Sequence, residues 1–144
     1  MKSFNLKESI EKRRIIPFAN GPKLIKKELR AAQDDLGEAK RSLALKSYKW
    51  ATIQAYYSIF HSARALLYAK KYREKSHVHL GSAIKALYVD AGKLSSSYYY
   101  DFVSASTLRE LADYKGRFSE GGAKQILKSA EDSLAHTKKL LINR

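Results

Sequence analysis

The 144-residue sequence has no cysteine, and it is poor in proline and glycine, with two and seven residues. The lack of cysteine excludes a disulfide framework, thiolate metal sites and a cysteine nucleophile. Scarce proline and glycine leave little punctuation, which favours long regular elements over many short strands and turns. There is no apolar run of the roughly 18 residues that a transmembrane helix needs, so no segment is expected to span a membrane. Residues 1–14 alternate charge with single apolar side chains and lack the apolar stretch of a secretory leader, so the expected location is the cytoplasm. Also missing are internal repeats, a Gly-rich phosphate loop, a G-x-S-x-G turn and a His-Glu-x-x-His metal motif. No cofactor is expected.

Acidic residues are scarce too. Fourteen Asp and Glu stand against 28 Lys and Arg, a formal net charge of +14. The excess is uneven: residues 1–30 carry nine basic and three acidic side chains, residues 61–90 six and two, and residues 91–144 nine and six. A field of this sign attracts phosphate polyanions or acidic partners. A basic surface kept for solubility would carry a closer match of Glu than is present.

What is there is helical periodicity. Residues 1–21 read as an amphipathic lead-in, with the basic run Lys12, Arg13, Arg14 and with Ile15, Ile16 and Phe18 available to dock on the body. Asn20, Gly21 and Pro22 mark a boundary, Asn20 as an N-cap and Pro22 in a first helical turn. The bundle then occupies residues 22–144. A first long helix runs to about residue 46 with a stripe of Ile25, Leu29, Ala32, Leu36, Ala39 and Leu43. A second covers about 48–70, with Trp50, Ile53, Tyr57, Phe60 and Leu67 inward and Arg64 breaking the stripe. After a polar connection at 71–76, Ser76 or a neighbour caps a third helix over about 77–91, with Leu80, Ile84 and Leu87 inward, and Gly92 stops it. A fourth spans 96–114, with Phe102, Ala105, Leu108 and Ala112 inward, and ends at Gly116. The last runs over 119–142 on Ala123, Leu127, Ala130, Leu134 and Leu141. No strand is expected. Short connections favour antiparallel neighbours, so the predicted fold is all-α, an up-and-down bundle of four to five antiparallel helices. Tyr98, Tyr99 and Tyr100 are expected to pack in core and groove in preference to forming a stacking platform.

Two clusters carry chemistry. Residues 109–114, Arg-Glu-Leu-Ala-Asp-Tyr, put a permanent cation, carboxylates and a phenol near a helix end. Arg109 and Asp113 are four apart and share a face; by itself this could be a simple intrahelical ion pair. Tyr114 stands about 140° round a regular helix from Arg109, so they meet only if the helix loosens or the arginine side chain sweeps across. The second cluster, Lys70 to His77, is basic, contains Tyr72 and leads into a helix start, where free N–H groups favour a phosphate. A solvated loop is the plainer alternative. Arg64, Arg73, Lys75, Ser76 and His77 are the candidate phosphate or RNA contacts, and Arg109, Asp113 and Tyr114 the candidate catalytic group. His77 and His79 diverge by about 200° of helix rotation and make a poor joint metal site.

These clusters resemble those of a known family. Residues 49–67, Lys-Trp-Ala-Thr-Ile-Gln-Ala-Tyr-Tyr-Ser-Ile-Phe-His-Ser-Ala-Arg-Ala-Leu-Leu, resemble the second helix of HEPN domains, most closely the small stand-alone prokaryotic and archaeal branch. The Lys-Ser/Thr-His segment that follows in that branch is matched by Lys75, Ser76 and His77, and an Arg-x-x-Ala-Asp-Tyr segment by residues 109–114. The resemblance covers roughly residues 22–142. It implies an up-and-down α bundle, a two-fold homodimer and, in active members, metal-independent RNA cleavage at an Arg-x4–6-His motif facing its copy across a basic cleft. It also implies toxins paired with a small nucleotidyltransferase antitoxin. Arg109 is carried over as the phosphate-binding arginine, but no histidine follows it, and Tyr114 stands near that position. A neutral imidazole accepts a proton from a 2′-hydroxyl near neutral pH, whereas a phenol with a reference pKa near 10 does so poorly. Asp113 or His77 could compensate. The readings left open are an RNA- or nucleotide-binding domain, with or without endoribonuclease activity, a non-catalytic module that docks a nucleotidyltransferase or other acidic partner, and a bundle with no ligand.

Overall fold

A helix with apolar or small residues round most of its circumference must be surrounded by other elements. The computed structural model, which describes residues 5–142, places Tyr48–Ala69 in that position. Fourteen of the 22 residues of this helix, α3, are buried, so it is the axis of the fold. Between its two ends the residues that are not buried, Trp50, Gln54, Tyr57, His61 and Arg64, recur at helical spacing and form one outward stripe. The sequence reading had turned Trp50 and Tyr57 inward on their bulk. Trp50 is 52% exposed and Tyr57 half-buried, because small residues such as Ala51, Ala55 and Ala63 make the contacts to the neighbouring helices.

Preceding α3, α1 spans Leu6–Glu11 and α2 spans Ile25–Ala44; following it come α4 at His77–Ile84, α5 at Ser96–Tyr114 and α6 at Glu120–Ile142. Helices α2, α4, α5 and α6 all pack on α3. The expected stripes hold for most positions: Ile25, Ala32, Leu36 and Ala39 of α2 are buried, as are Phe102, Ala105 and Ala112 of α5 and Ala123, Leu127, Ala130 and Leu134 of α6. Ser58 lets α2 approach closely, and its hydroxyl donates to the Ala32 carbonyl at 2.8 Å. Tyr98 is core, with its hydroxyl 2.8 Å from that of Thr137; Tyr99 is half-buried and Tyr100 64% exposed. The fold is an all-α bundle, and among the described residues no helix is long and apolar enough to cross a membrane.

Three local features depart from the sequence reading. A two-stranded antiparallel sheet exists: β1, Ile15–Pro17, pairs with β2, Tyr72–Glu74, Ile15 opposite Glu74. Three-residue strands are too short to show a period of two. Ile15 is fully buried and Phe18 packs edge-on against Tyr68 at 5.2 Å, so the lead-in docks as expected, although through a sheet. Asn20 makes no side-chain capping bond, because the chain enters α2 through a 3₁₀ turn at Gly21–Leu24. There, a Cβ on Gly21 would stand 2.4 Å from the Tyr68 carbonyl oxygen, so only glycine allows this approach. Finally, α4 widens into a π-helical turn over Lys85–Val89.

Candidate functional site

The α5 periodicity that buries Phe102, Ala105 and Ala112 also turns Arg109 inward, where it is 7% exposed. Its guanidinium carbon lies 4.9 Å from the centre of the Tyr56 ring and 5.5 Å from that of Tyr114. Nη1 donates to the Tyr114 hydroxyl at 3.2 Å and stands 3.6 Å from the Asp113 carboxylate. The helix stays regular through Tyr114, so the two long side chains, not a loosened backbone, bridge the separation. Nε is buried and has no hydrogen-bond partner. Burial opposes the charge of Arg109, but the Tyr114 hydroxyl and the Tyr56 and Tyr57 phenols outweigh it and hold the pKa above the ordinary value. Asp113 and Tyr114 are exposed, the latter by 71%.

The sequence reading did not single out Tyr56, which joins the two clusters. It is fully buried on α3, with Arg109 against one face. Its hydroxyl meets Nδ1 of His77 at 2.6 Å. Ser76 caps α4, accepting from the His79 amide, and this sets His77 in the first turn, its ring 4.3 Å from Phe60. Burial, then the Arg109 cation, lower the His77 pKa, which favours the neutral imidazole. Burial pushes the Tyr56 phenol up to about 12 against the pull of Arg109, so it stays protonated, and the direction of its bond to His77 follows the imidazole tautomer. The one available signal for Tyr56 was its place in the family-like stretch. Beside His77, a groove of about 250 Å³ opens between α4 and α5.

The remaining candidates lie apart from this pair. Arg64 gives its charge to carboxylates: Nη2 is 2.9 Å from Glu74, whose side chain is 6% exposed, and Nη1 is 3.8 Å from Glu28. Glu28 also meets His61 at 2.6 Å, and the far side of that ring is 3.6 Å from Asp35. This network ties α2, α3 and β2 together. Burial raises the Asp35 pKa, with His61 opposing. Arg73 and Lys75 are exposed along β2 and its exit, Arg73 lying 5.8 Å from the Phe18 ring. They supply field at the surface and touch neither Arg109 nor His77.

Comparison with known protein families matches residues 25–141 to the HEPN domain. The chain is also 33% identical over 122 residues to a provisionally named toxin of Methanocaldococcus jannaschii, covering 81% of this chain and 91% of that protein.

Proposed function

Since the chain belongs to the HEPN domain family, we propose that it is an RNA-binding domain with a toxin role, in which Arg109 holds a backbone phosphate. The observation that carries this reading is the state of Arg109: a largely buried guanidinium whose Nη2 makes no hydrogen bond and whose only carboxylate neighbour, among the described residues, is 3.6 Å away on the exposed side. A structural cation at this depth would be expected to be paired closely with a carboxylate, as the less buried Arg64 is through Nε and Nη2 to Glu74. A phosphate oxygen would accept from Nη2, which makes no hydrogen bond among the described residues, and the net charge of +14 supplies the attraction.

The same site supports cleavage without a metal. The ribose 2′-oxygen would bond to the adjacent phosphorus as the bond to the 5′-oxygen breaks, leaving a cyclic phosphate and a 5′-hydroxyl. Arg109 would stabilise the charge of the phosphorane. The 2′-hydroxyl proton needs an acceptor near neutral pH, and Nε2 of neutral His77 meets that need better than the Tyr114 phenol in the tautomer whose Nδ1–H donates to the Tyr56 oxygen. The leaving oxygen takes its proton from solvent. Labelled RNA incubated in chelator with the wild type and with Arg109→Ala tests this reading. The expected result is cleavage by the wild type to cyclic phosphate ends, with loss of at least about 100-fold in the variant. Equal cleavage by both would remove Arg109 from the mechanism.

A second reading is favoured by exposed Trp50, Tyr114 and Phe118, side chains of the kind that anchor interfaces. They suit a second copy in a homodimer or an acidic partner such as a nucleotidyltransferase antitoxin. Co-purification of a stoichiometric acidic protein with no bound nucleic acid would favour this reading over the first.

A further inference from the structure

The groove between α4 and α5 differs in composition from the surface around it. In a chain with a net charge of +14, none of its lining residues is Lys, Arg, Asp or Glu. Its walls are Tyr99, Phe102 and Val103, with Ser106, Thr107 and His77 as neutral polar groups. A slot of this kind does not suit a phosphate. Flat aromatic and apolar walls with a few hydroxyls suit an uncharged heteroaromatic ring, which stacks on its faces and hydrogen-bonds at its edges. The rim also leaves apolar surface uncovered, since Val78 is 75% exposed and Val103 42%.

The groove adjoins the Arg109 site through His77 and Ser106. Ser106 precedes Arg109 by three residues on α5, so the two share a helix face and are separated by about 4.5 Å of axial rise. His77 lines the groove while its Nδ1 holds the Tyr56 hydroxyl, and the Tyr56 ring lies against Arg109. Nε2 of His77 has no hydrogen-bond partner among the described residues and is left for a ligand. Gly81 keeps the slot narrow: a Cβ there would stand 2.9 Å from the Phe102 ring, so Phe102 lies directly on the α4 backbone.

We propose that the α4–α5 groove is a nucleobase subsite that receives the unpaired base of the nucleotide whose phosphate Arg109 holds, making single-stranded RNA the substrate class. The proposal rests on the phosphate reading of Arg109. Ser82 and Thr107 already donate to the Val78 and Val103 carbonyls at 3.3 and 3.2 Å, so their free lone pairs accept from base N–H groups. Tyr99 provides the ring for stacking.

The test is calorimetric titration of the whole protein with inorganic phosphate, ribose 5-phosphate and a nucleoside monophosphate. Stacking of one base raises affinity by roughly 10-fold or more, so the nucleoside monophosphate is expected to bind at least that much more tightly than ribose 5-phosphate. Val103→Trp, made on a side chain that is already half outside, is expected to remove this gain and leave the ribose 5-phosphate affinity unchanged; Tyr99→Ala is expected to reduce it. The comparison of the ligands on the wild type decides even if a variant fails to fold. Equal affinity for the nucleoside monophosphate and ribose 5-phosphate would overturn the subsite while leaving the phosphate site in place. Loss of all three affinities would sink both. If Val103→Trp split a dimer and left nucleotide preference untouched, the groove would be a protein interface and the proposal wrong.

Discussion

Replacing Arg109 with methionine separates a residue kept for a ligand from one kept for the scaffold. Methionine is unbranched, adaptable and can fill most of the space that the arginine stem leaves. The substitution gives up the contact with the Tyr56 ring, worth roughly 1–2 kcal/mol when desolvated. It also gives up the hydrogen bond to exposed Tyr114, about 1 kcal/mol. The contact with Asp113, at 3.6 Å on an exposed face, adds only a few tenths. Against these stands relief of the buried Nε, which without a partner costs roughly 1–3 kcal/mol. The terms offset, so the stability of Arg109→Met should lie within about 1 kcal/mol of the wild type in urea denaturation. RNA affinity should fall. Loss of one phosphate contact should lower the slope of log affinity against log salt by about 0.7 for a single strand. Fluorescence anisotropy of labelled single-stranded RNA over a salt series measures both. A variant destabilised by more than about 3 kcal/mol that bound RNA with unchanged affinity and salt slope would show that Arg109 is a strut, and the functional reading would fall.

Three further outcomes are expected. Glu74→Gln leaves Arg64 with Glu28, at the longer distance, as its carboxylate partner, and because Arg64 is partly exposed the loss should be about 1–3 kcal/mol in the same denaturation assay; the double change Arg64→Met with Glu74→Leu should recover most of it. His77 has a folded pKa below its ordinary 6.5, so the unfolded chain takes up the proton first as pH falls, and stability present above about pH 6.5 declines below it. His77→Gln should flatten that decline, part of which persists because His79 is shifted the same way, by burial and then Arg14; an unchanged pH profile would contradict the assignment. Gly21→Ala should push the 3₁₀ turn away from Tyr68 and loosen the β1–β2 pairing, seen as faster amide exchange at Phe18 and Lys75, whose amides bond to Lys71 and Arg14.

Much of the site was legible residue by residue. Arg109, Asp113 and Tyr114 were visible as a cluster because four- and five-residue spacings on a helix fix neighbours without tertiary information. His77 was visible as the first residue after a serine cap. What could not be read was that these segments, more than thirty residues apart, share Tyr56. Nor could the fate of Arg64 be read, since its partners Glu28 and Glu74 come from α2 and β2 and none is at helical spacing from another.

The amino-acid sequence alone determined the all-α bundle, the places of its long helices and most of their inward stripes, because those follow from the 3.6-residue period and from local caps and breakers. It also determined the excess of positive charge. The tertiary structure decided which side of α3 faces outward, since small residues there make the closest contacts and bulk misleads. It decided that two three-residue strands pair, since a pair of hydrogen-bonded edges has no periodic signature. It decided, above all, which cations are spent and which are free: that depends on where acidic side chains from distant segments come to rest, a matter of packing that no local spacing encodes.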